Sequence, residues 1–265
     1  MDAAAVPGAA RPVARADGWI VAPPRRTAPA LRLFCLPYAA GAASVYASWS
    51  GALGKQVEIC PIEYPGRQTR LRESPHIRLE PLVDALASAL ADELDLSYAL
   101  FGHSMGSFVA FELARELRQR GAGEPYVLFV SGGQAPRLRH ELPRIHNQPD
   151  AVVVDRLREL GGLPGEVDDE LELLELLMPA IRADFAVCET YEYHPEPPLT
   201  CPVVAFAGAE DREVPPKCMA PWAEETTGPF IRYVLPGDHL FLRPSQTALL
   251  DIIRVALTPC PPPRT

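Results

Sequence analysis

None of the six cysteines (Cys35, Cys60, Cys188, Cys201, Cys218, Cys260) belongs to a C-x-x-C pair, so zinc-ribbon and thioredoxin-like chemistry are excluded. No apolar run approaches the roughly 18 residues that a membrane-spanning helix needs. The first 30 residues lack the apolar stretch of a secretion signal, being broken by Pro7, Pro12, Pro23, Pro24 and Pro29 and by Arg11, Arg15, Arg25 and Arg26. Without an export signal, the cysteines are read as reduced and the chain as cytoplasmic. Positive charge is also short: 25 Lys and Arg face 34 Asp and Glu, for a formal net charge of -9. Such a surface repels nucleic acid and anionic membranes, and neither is expected as a partner. No metal-ligand spacing is present, and no metal is expected.

What is present is enough apolar material for one core: 265 residues, 48% of them hydrophobic. Proline is abundant, at 30 residues, and clusters between the periodic segments, which marks those stretches as loops. Short, nearly all-apolar runs at Leu31–Leu36, Val57–Ile62, Tyr98–Phe101, Tyr126–Val130, Val203–Ala207 and Ile231–Leu235 read as strands covered on both faces. Helical patterns lie between them at Leu82–Leu94, Met105–Arg120 and Leu249–Leu257, the second ending at Gly121 as helices commonly do. Strand–helix alternation implies an α/β class, a mostly parallel doubly wound sheet with right-handed crossovers.

The alternation fails between Pro136 and Pro198, where no strand is evident and two amphipathic helices are predicted, Ala151–Leu160 and Asp168–Tyr191. A helical lid insertion over about 137–191 is the expectation. Its apolar rows, Leu157 and Leu160, then Leu173, Leu177 and Ile181, should cover a channel. By composition, residues 1–30 read as a disordered tail, 31–258 as a single domain carrying the lid, and 259–265 as a flexible end. A monomer is expected.

Gly102-His-Ser-Met-Gly106 is a Gly-x-Ser-x-Gly motif with a strand before it and a helix after it. In that context the chain must turn so sharply that side chains at both glycines would collide with backbone. Ser104 is left exposed at a helix N-terminus as a nucleophile, the arrangement of the α/β-hydrolase fold. Its base should come from a loop after the last strand, which selects His239; His103 should pack beside the site. Asp211, just past the fifth strand, is the acid expected to orient His239, with Glu210 and Asp238 as rivals. The oxyanion hole needs two N–H groups, one from Met105 and one from the loop Pro37–Gly41, where Ala39 is favoured.

Five segments together resemble the type II (external, editing) thioesterases of polyketide and nonribosomal peptide synthesis. They are Leu36-Pro-Tyr-Ala-Ala-Gly41, Glu63-Tyr-Pro-Gly-Arg67, Phe101-Gly-His-Ser-Met-Gly106, Gly208-Ala-Glu-Asp211 and Gly237-Asp-His-Leu-Phe-Leu242. The resemblance spans about Leu31 to Leu257, and the Tyr-Pro-Gly-Arg segment is the most diagnostic. It implies Ser104, Asp211 and His239 as triad, the backbone of Ala39 and Met105 as oxyanion hole, and the helical lid. It further implies an acyl group carried on the phosphopantetheine arm of an acyl or peptidyl carrier protein, and no bound cofactor. Two positions depart from the family pattern: Ala40 and Asp238 stand where Gly is common. Carrier proteins being acidic, docking would need a basic patch, for which Arg67, Arg70, Arg72, Arg137, Arg139 and Arg144 are candidates. The competing readings are a carboxylesterase or peptidase of the same fold and a non-catalytic carrier-binding module.

Overall fold

The computed structural model describes residues 13–22, 29–138, 144–161 and 171–258. Six parallel strands form one sheet: β3 (Leu31–Leu36), β4 (Val57–Pro61), β5 (Ser97–His103), β6 (Leu128–Ser131), β7 (Val203–Gly208) and β8 (Phe230–Leu235). They lie in the order β4-β3-β5-β6-β7-β8. The chain therefore runs outward from β3 to β4, then crosses back to place β5 on the other side of β3. The loops after β3 and β5 thus diverge from adjacent strands, and ligand sites of open parallel sheets form at such a reversal.

Alternation along each strand splits the core into two layers. Phe34, Leu36, Tyr98, Leu100, Leu128, Val130, Val203 and Ala205 face one side, where α1 (Leu79–Ala89) and α2 (Met105–Gln119) pack. Leu31, Leu33, Ala99, Phe101, Phe129, Val204 and Phe206 face the other, with α5 (Gln246–Ala256) and the 3-10 segment Ala43–Trp49. The expectation of strands buried on both faces fails at β8, an outer strand of the sheet: Ile231 and Val234 are about half exposed, whereas the other outer strand, β4, is buried throughout. The 3-10 segments Ala43–Trp49 and Pro216–Glu225 had no signal in the sequence; neither carries a 3.6-residue apolar period, and Pro221 interrupts the second.

The expected tail over residues 1–30 needs correction. Val13–Arg15 (β1) and Ile20–Ala22 (β2) form an antiparallel hairpin. Its loop passes through Ala16, Asp17 and Gly18 with φ of 50°, 51° and 86°, a conformation that an Asp-Gly pair favours. Trp19, Ile20 and Ala22 join the core layer over α1 and α2. The Glu63 N–H donates to the Trp19 carbonyl at 2.8 Å, Ile20 bridges to Ile62, and Arg15 pairs with Glu58 at 3.0 Å. Composition, weighted by the prolines and arginines around this short stretch, concealed it. Residues 1–12, 23–28 and 259–265 lie outside the described residues.

The insertion contributes α3 (Asp150–Glu159) and α4 (Leu171–Thr190), close to the predicted spans. Val153, Leu157, Leu174, Met178, Ile181 and Phe185 make a third, separate cluster. The expected apolar rows are therefore corrected in part. Leu177 packs against this cluster, Leu173 is half exposed, and neither lines the cavity beside Ser104.

The hairpin generates a prediction. Trp19→Ala should lower unfolding stability by about 3–5 kcal/mol, as for a buried tryptophan. Chemical denaturation reads this directly; a change near zero would return the segment to the status of a tail.

Candidate active site

The turn from β5 into α2 is as tight as the sequence demands. A β-carbon on Gly102 would stand 2.0 Å from the Gly106 carbonyl oxygen, and one on Gly106 would stand 2.2 Å from the Leu36 carbonyl oxygen. Between them Ser104 adopts φ 54° and ψ -115°, a strained backbone for a non-glycine residue. Its N–H donates to the Ser131 carbonyl at 2.7 Å, and its carbonyl accepts from Ser107 N–H at 2.9 Å. The buried Ser107 hydroxyl lies 2.9 Å from the carbonyls of both Gly102 and Ser131. These contacts, all to backbone, fix the elbow.

Three side chains from three loops meet there. The Ser104 hydroxyl lies 2.9 Å from His239 Nε2, and His239 Nδ1 lies 2.9 Å from Asp211 Oδ2. A carboxylate only accepts, so Nδ1 carries the proton and Nε2 is left to accept from Ser104. The other Asp211 oxygen accepts N–H bonds from Glu213 and Val214, both at 2.9 Å. The rivals are occupied elsewhere: Glu210 accepts from Gly237 N–H at 2.5 Å, and Asp238 accepts from Leu240 N–H at 2.9 Å. Each rigidifies the loop that carries His239.

His103 does more than fill space. Fully buried, it lies 2.8 Å from the His239 backbone carbonyl through Nε2 and 2.9 Å from Ser131 Oγ through Nδ1. A carbonyl cannot donate, so Nε2 carries the proton and Nδ1 accepts from the Ser131 hydroxyl. Burial, and then the neighbouring His239 ring, push the His103 pKa well below the ordinary histidine value, which keeps this arrangement neutral.

Ser104 and His239 open onto a cavity of about 120 Å³. Ala39 and Met105 line it at the floor, with Phe108, Leu160, Phe185 and Cys188 as apolar walls. The insertion thus supplies one wall, through Leu160 beyond α3 and Phe185 and Cys188 of α4. Besides apolar packing of Val187 on the main core, polar contacts attach it. Arg156 of α3 pairs with Glu213 at 2.5 Å, two residues beyond Asp211, and Glu189 of α4 accepts from Ile145 N–H at 2.8 Å and bonds the His146 ring.

The candidate docking arginines divide. Arg67 is buried and forms a bidentate pair with Asp184 of α4, both bonds 2.7 Å. Burial alone would lower its pKa; the Asp184 carboxylate more than offsets that, and the net direction is upward. Arg70 is buried beneath Trp19, 4.2 Å from the ring, and bonds Glu73 and the Glu63 carbonyl. Arg137 pairs with Glu224 at 2.6 Å and Glu225 at 2.8 Å. Arg72 and Arg144 are exposed, and Arg139 lies outside the described residues. Arg67 and Arg70 are thus removed from the docking surface: in the first, shape and charge are used internally; in the second, an aromatic neighbour from the unforeseen hairpin covers it. The Arg67–Asp184 pair had no sequence signal, because its partners are 117 residues apart.

The family model "Thioesterase domain" matches residues 31–257. Gramicidin S biosynthesis protein GrsT of Aneurinibacillus migulanus is 37% identical over 251 residues, covering 93% of this chain and 98% of that protein. Thioesterase PikA5 of Streptomyces venezuelae is 39% identical, covering 80% of this chain and 76% of its own. Among solved structures, the RedJ thioesterase from the prodiginine biosynthetic pathway of Streptomyces coelicolor superposes with a TM-score of 0.83 at 42% identity, covering 89% of this chain and 96% of that one. The type II thioesterase BorB from the borrelidin biosynthetic cluster gives a TM-score of 0.83 at 36% identity, covering 92% and 99%.

The geometry separates the two aspartates. Asp211→Asn should reduce turnover by about 10⁴-fold, since the amide favours the wrong imidazole tautomer. Asp238→Asn, which alters a loop contact only, should cost far less. Steady-state rates of the two variants check this, and the reverse ranking would contradict the assignment.

Proposed function

Since this chain belongs to the thioesterase family, and is a type II thioesterase of the nonribosomal peptide and polyketide kind, we propose a two-step acyl transfer centred on Ser104. The carrying observation is the hydrogen-bonded line Ser104–His239–Asp211 at a largely apolar cavity. The substrate is an acyl group on the phosphopantetheine thiol of an acyl or peptidyl carrier protein, and the products are the free acid and the free thiol. Stalled or aberrant chains are what such hydrolysis would clear from a synthase.

In the first step Ser104 Oγ attacks the thioester carbonyl while His239 Nε2 takes its proton. The carbonyl electron pair moves onto oxygen, towards the N–H groups of Met105 and Ala39. Each such donor contributes about 3–4 kcal/mol to the transition state. Collapse of the intermediate breaks the C–S bond. A thiol of pKa about 8.5 leaves with little help, taking the His239 proton as it goes. In the second step water, deprotonated by His239, attacks the acyl-serine and the same donors hold the oxyanion again; collapse breaks the bond to Ser104 Oγ, which takes the proton back from His239 as the free acid leaves. Asp211 stabilises the imidazolium in both steps without being protonated. Met105 lies at the start of α2, where the helix dipole also favours the negative charge.

The insertion acts as the acyl-selecting wall, held against the acid loop by Arg156 and Glu213. A carboxylesterase reading is separated by comparing a carrier-bound thioester with the oxoester of the same acyl group; the proposal requires a clear preference for the thioester. The wall is tested by Phe185→Ala and Leu160→Ala. Both enlarge the cavity, so relative kcat/KM should move towards longer acyl chains by about tenfold, the scale of one or two methylenes in an apolar pocket. The ratio between chain lengths does not depend on how much enzyme is folded. An unchanged ratio in both variants would remove the wall from specificity.

A further inference from the structure

The loop that supplies Ala39 is a β-turn with an awkward residue in it. Gly41 N–H donates to the Tyr38 carbonyl at 2.8 Å, which makes Ala39 and Ala40 the central pair. Ala40 has φ 62°. A turn whose third residue takes positive φ is of the type that selects Gly or Asn there, and an alanine by itself prefers the alternative in which the central peptide is flipped. Something outside the turn must hold it.

The Arg67–Asp184 pair is in place to do so. Asp184 Oδ2 accepts the Ala40 N–H at 2.7 Å, and Arg67 Nη1 donates to the Gly41 carbonyl at 2.9 Å. The same two side chains bind each other through both oxygens. Flipping the Ala39–Ala40 peptide would withdraw the N–H from Asp184 and turn the Ala39 carbonyl towards that carboxylate, oxygen against oxygen. A buried ion pair is a weak device for stability, since apolar pairs of equal volume often replace it without loss. Its directional bonds to consecutive backbone groups are what an apolar pair could not supply.

We propose that Arg67 and Asp184 are positioning residues for the oxyanion hole: by holding the Ala40 N–H and the Gly41 carbonyl they fix the Tyr38–Gly41 turn, and with it the place of the adjoining Ala39 N–H beside Ser104. Asp184 lies on α4 beside Phe185, so the same clamp sets the hole against the acyl-selecting wall. The inference rests on the Ser104 mechanism proposed above.

The test uses the full-length enzyme and the double variant Arg67→Met/Asp184→Leu, which fills the space without leaving a lone buried charge. Its thermal midpoint should stay near that of the parent. Its kcat should fall by about 10²–10³-fold, the loss of one oxyanion donor, with kcat/KM falling equally. Affinity for an alkyl boronic acid, whose tetrahedral Ser104 adduct places an oxygen in the hole, should fall by the same factor. Adding Ala40→Gly should recover much of both losses, because glycine takes positive φ without a clamp. Should the double variant fold poorly, Asp184→Asn, which keeps shape and one acceptor, is measured with and without Ala40→Gly in its place. Parent-like kcat and boronate affinity in the clamp variant would overturn the proposal. So would a loss that Ala40→Gly leaves untouched, since that assigns the effect to general disturbance of the fold. Boronate binding by Ser104→Ala at the parent's affinity would instead contradict the underlying mechanism, independently of the clamp.

Discussion

A side chain on Gly106 would run into the Leu36 carbonyl, and one on Gly102 would run into Gly106 itself. Strand β5 can therefore pass into helix α2 only by bringing three stretches of bare backbone together, and Ser104 is the residue left at the crest. Its positive φ costs about 1–3 kcal/mol in isolation. That cost is borne by the buried bonds from Ser107 and Ser131, which lie on the helix and on the neighbouring strand. Because β3 and β5 are adjacent, the same close approach also brings the turn after β3 alongside the nucleophile. Ser104 and the Tyr38–Gly41 turn are thus placed by one packing event.

The remaining parts of the site are hung on this point by polar contacts that each serve two elements. His103, whose backbone belongs to the elbow, fixes the loop of His239 through its carbonyl. Asp211 is held by the N–H groups of Glu213 and Val214, and the Glu213 side chain holds α3. Arg67 and Asp184 join the turn after β3 to α4. None of these bonds needs to be strong. Each restricts direction in a place where apolar packing would leave a loop free to rotate, and proton transfer and oxyanion stabilisation both depend on direction.

Much of this was legible in the chain because it is local. Apolar runs of four to six residues marked β3 to β7, and the strand–Gly-x-Ser-x-Gly–helix order placed Ser104. His239 and Asp211 followed from their positions after successive strands. What escaped was set by partners distant in sequence or by signals too short to rise above composition. The β1–β2 hairpin depended on an Asp-Gly turn inside a proline- and arginine-rich stretch. Arg67 was read as a docking residue since a sequence displays a charge but not the aspartate 117 residues away that buries it. Leu173 fits a helical apolar period and still faces outward, because the lid helices pack first on each other and leave that side open.

The account turns on a covalent acyl–Ser104 intermediate. Mixing the parent, under rapid acid quench, with a carrier-bound acyl thioester and mapping the peptides by mass spectrometry measures it directly. The account predicts the acyl mass on the peptide containing Ser104, formed by the parent before free acid accumulates and absent from Ser104→Ala. Hydrolysis of the thioester at the parent's rate by Ser104→Ala, or an acyl group carried on another residue, would contradict it.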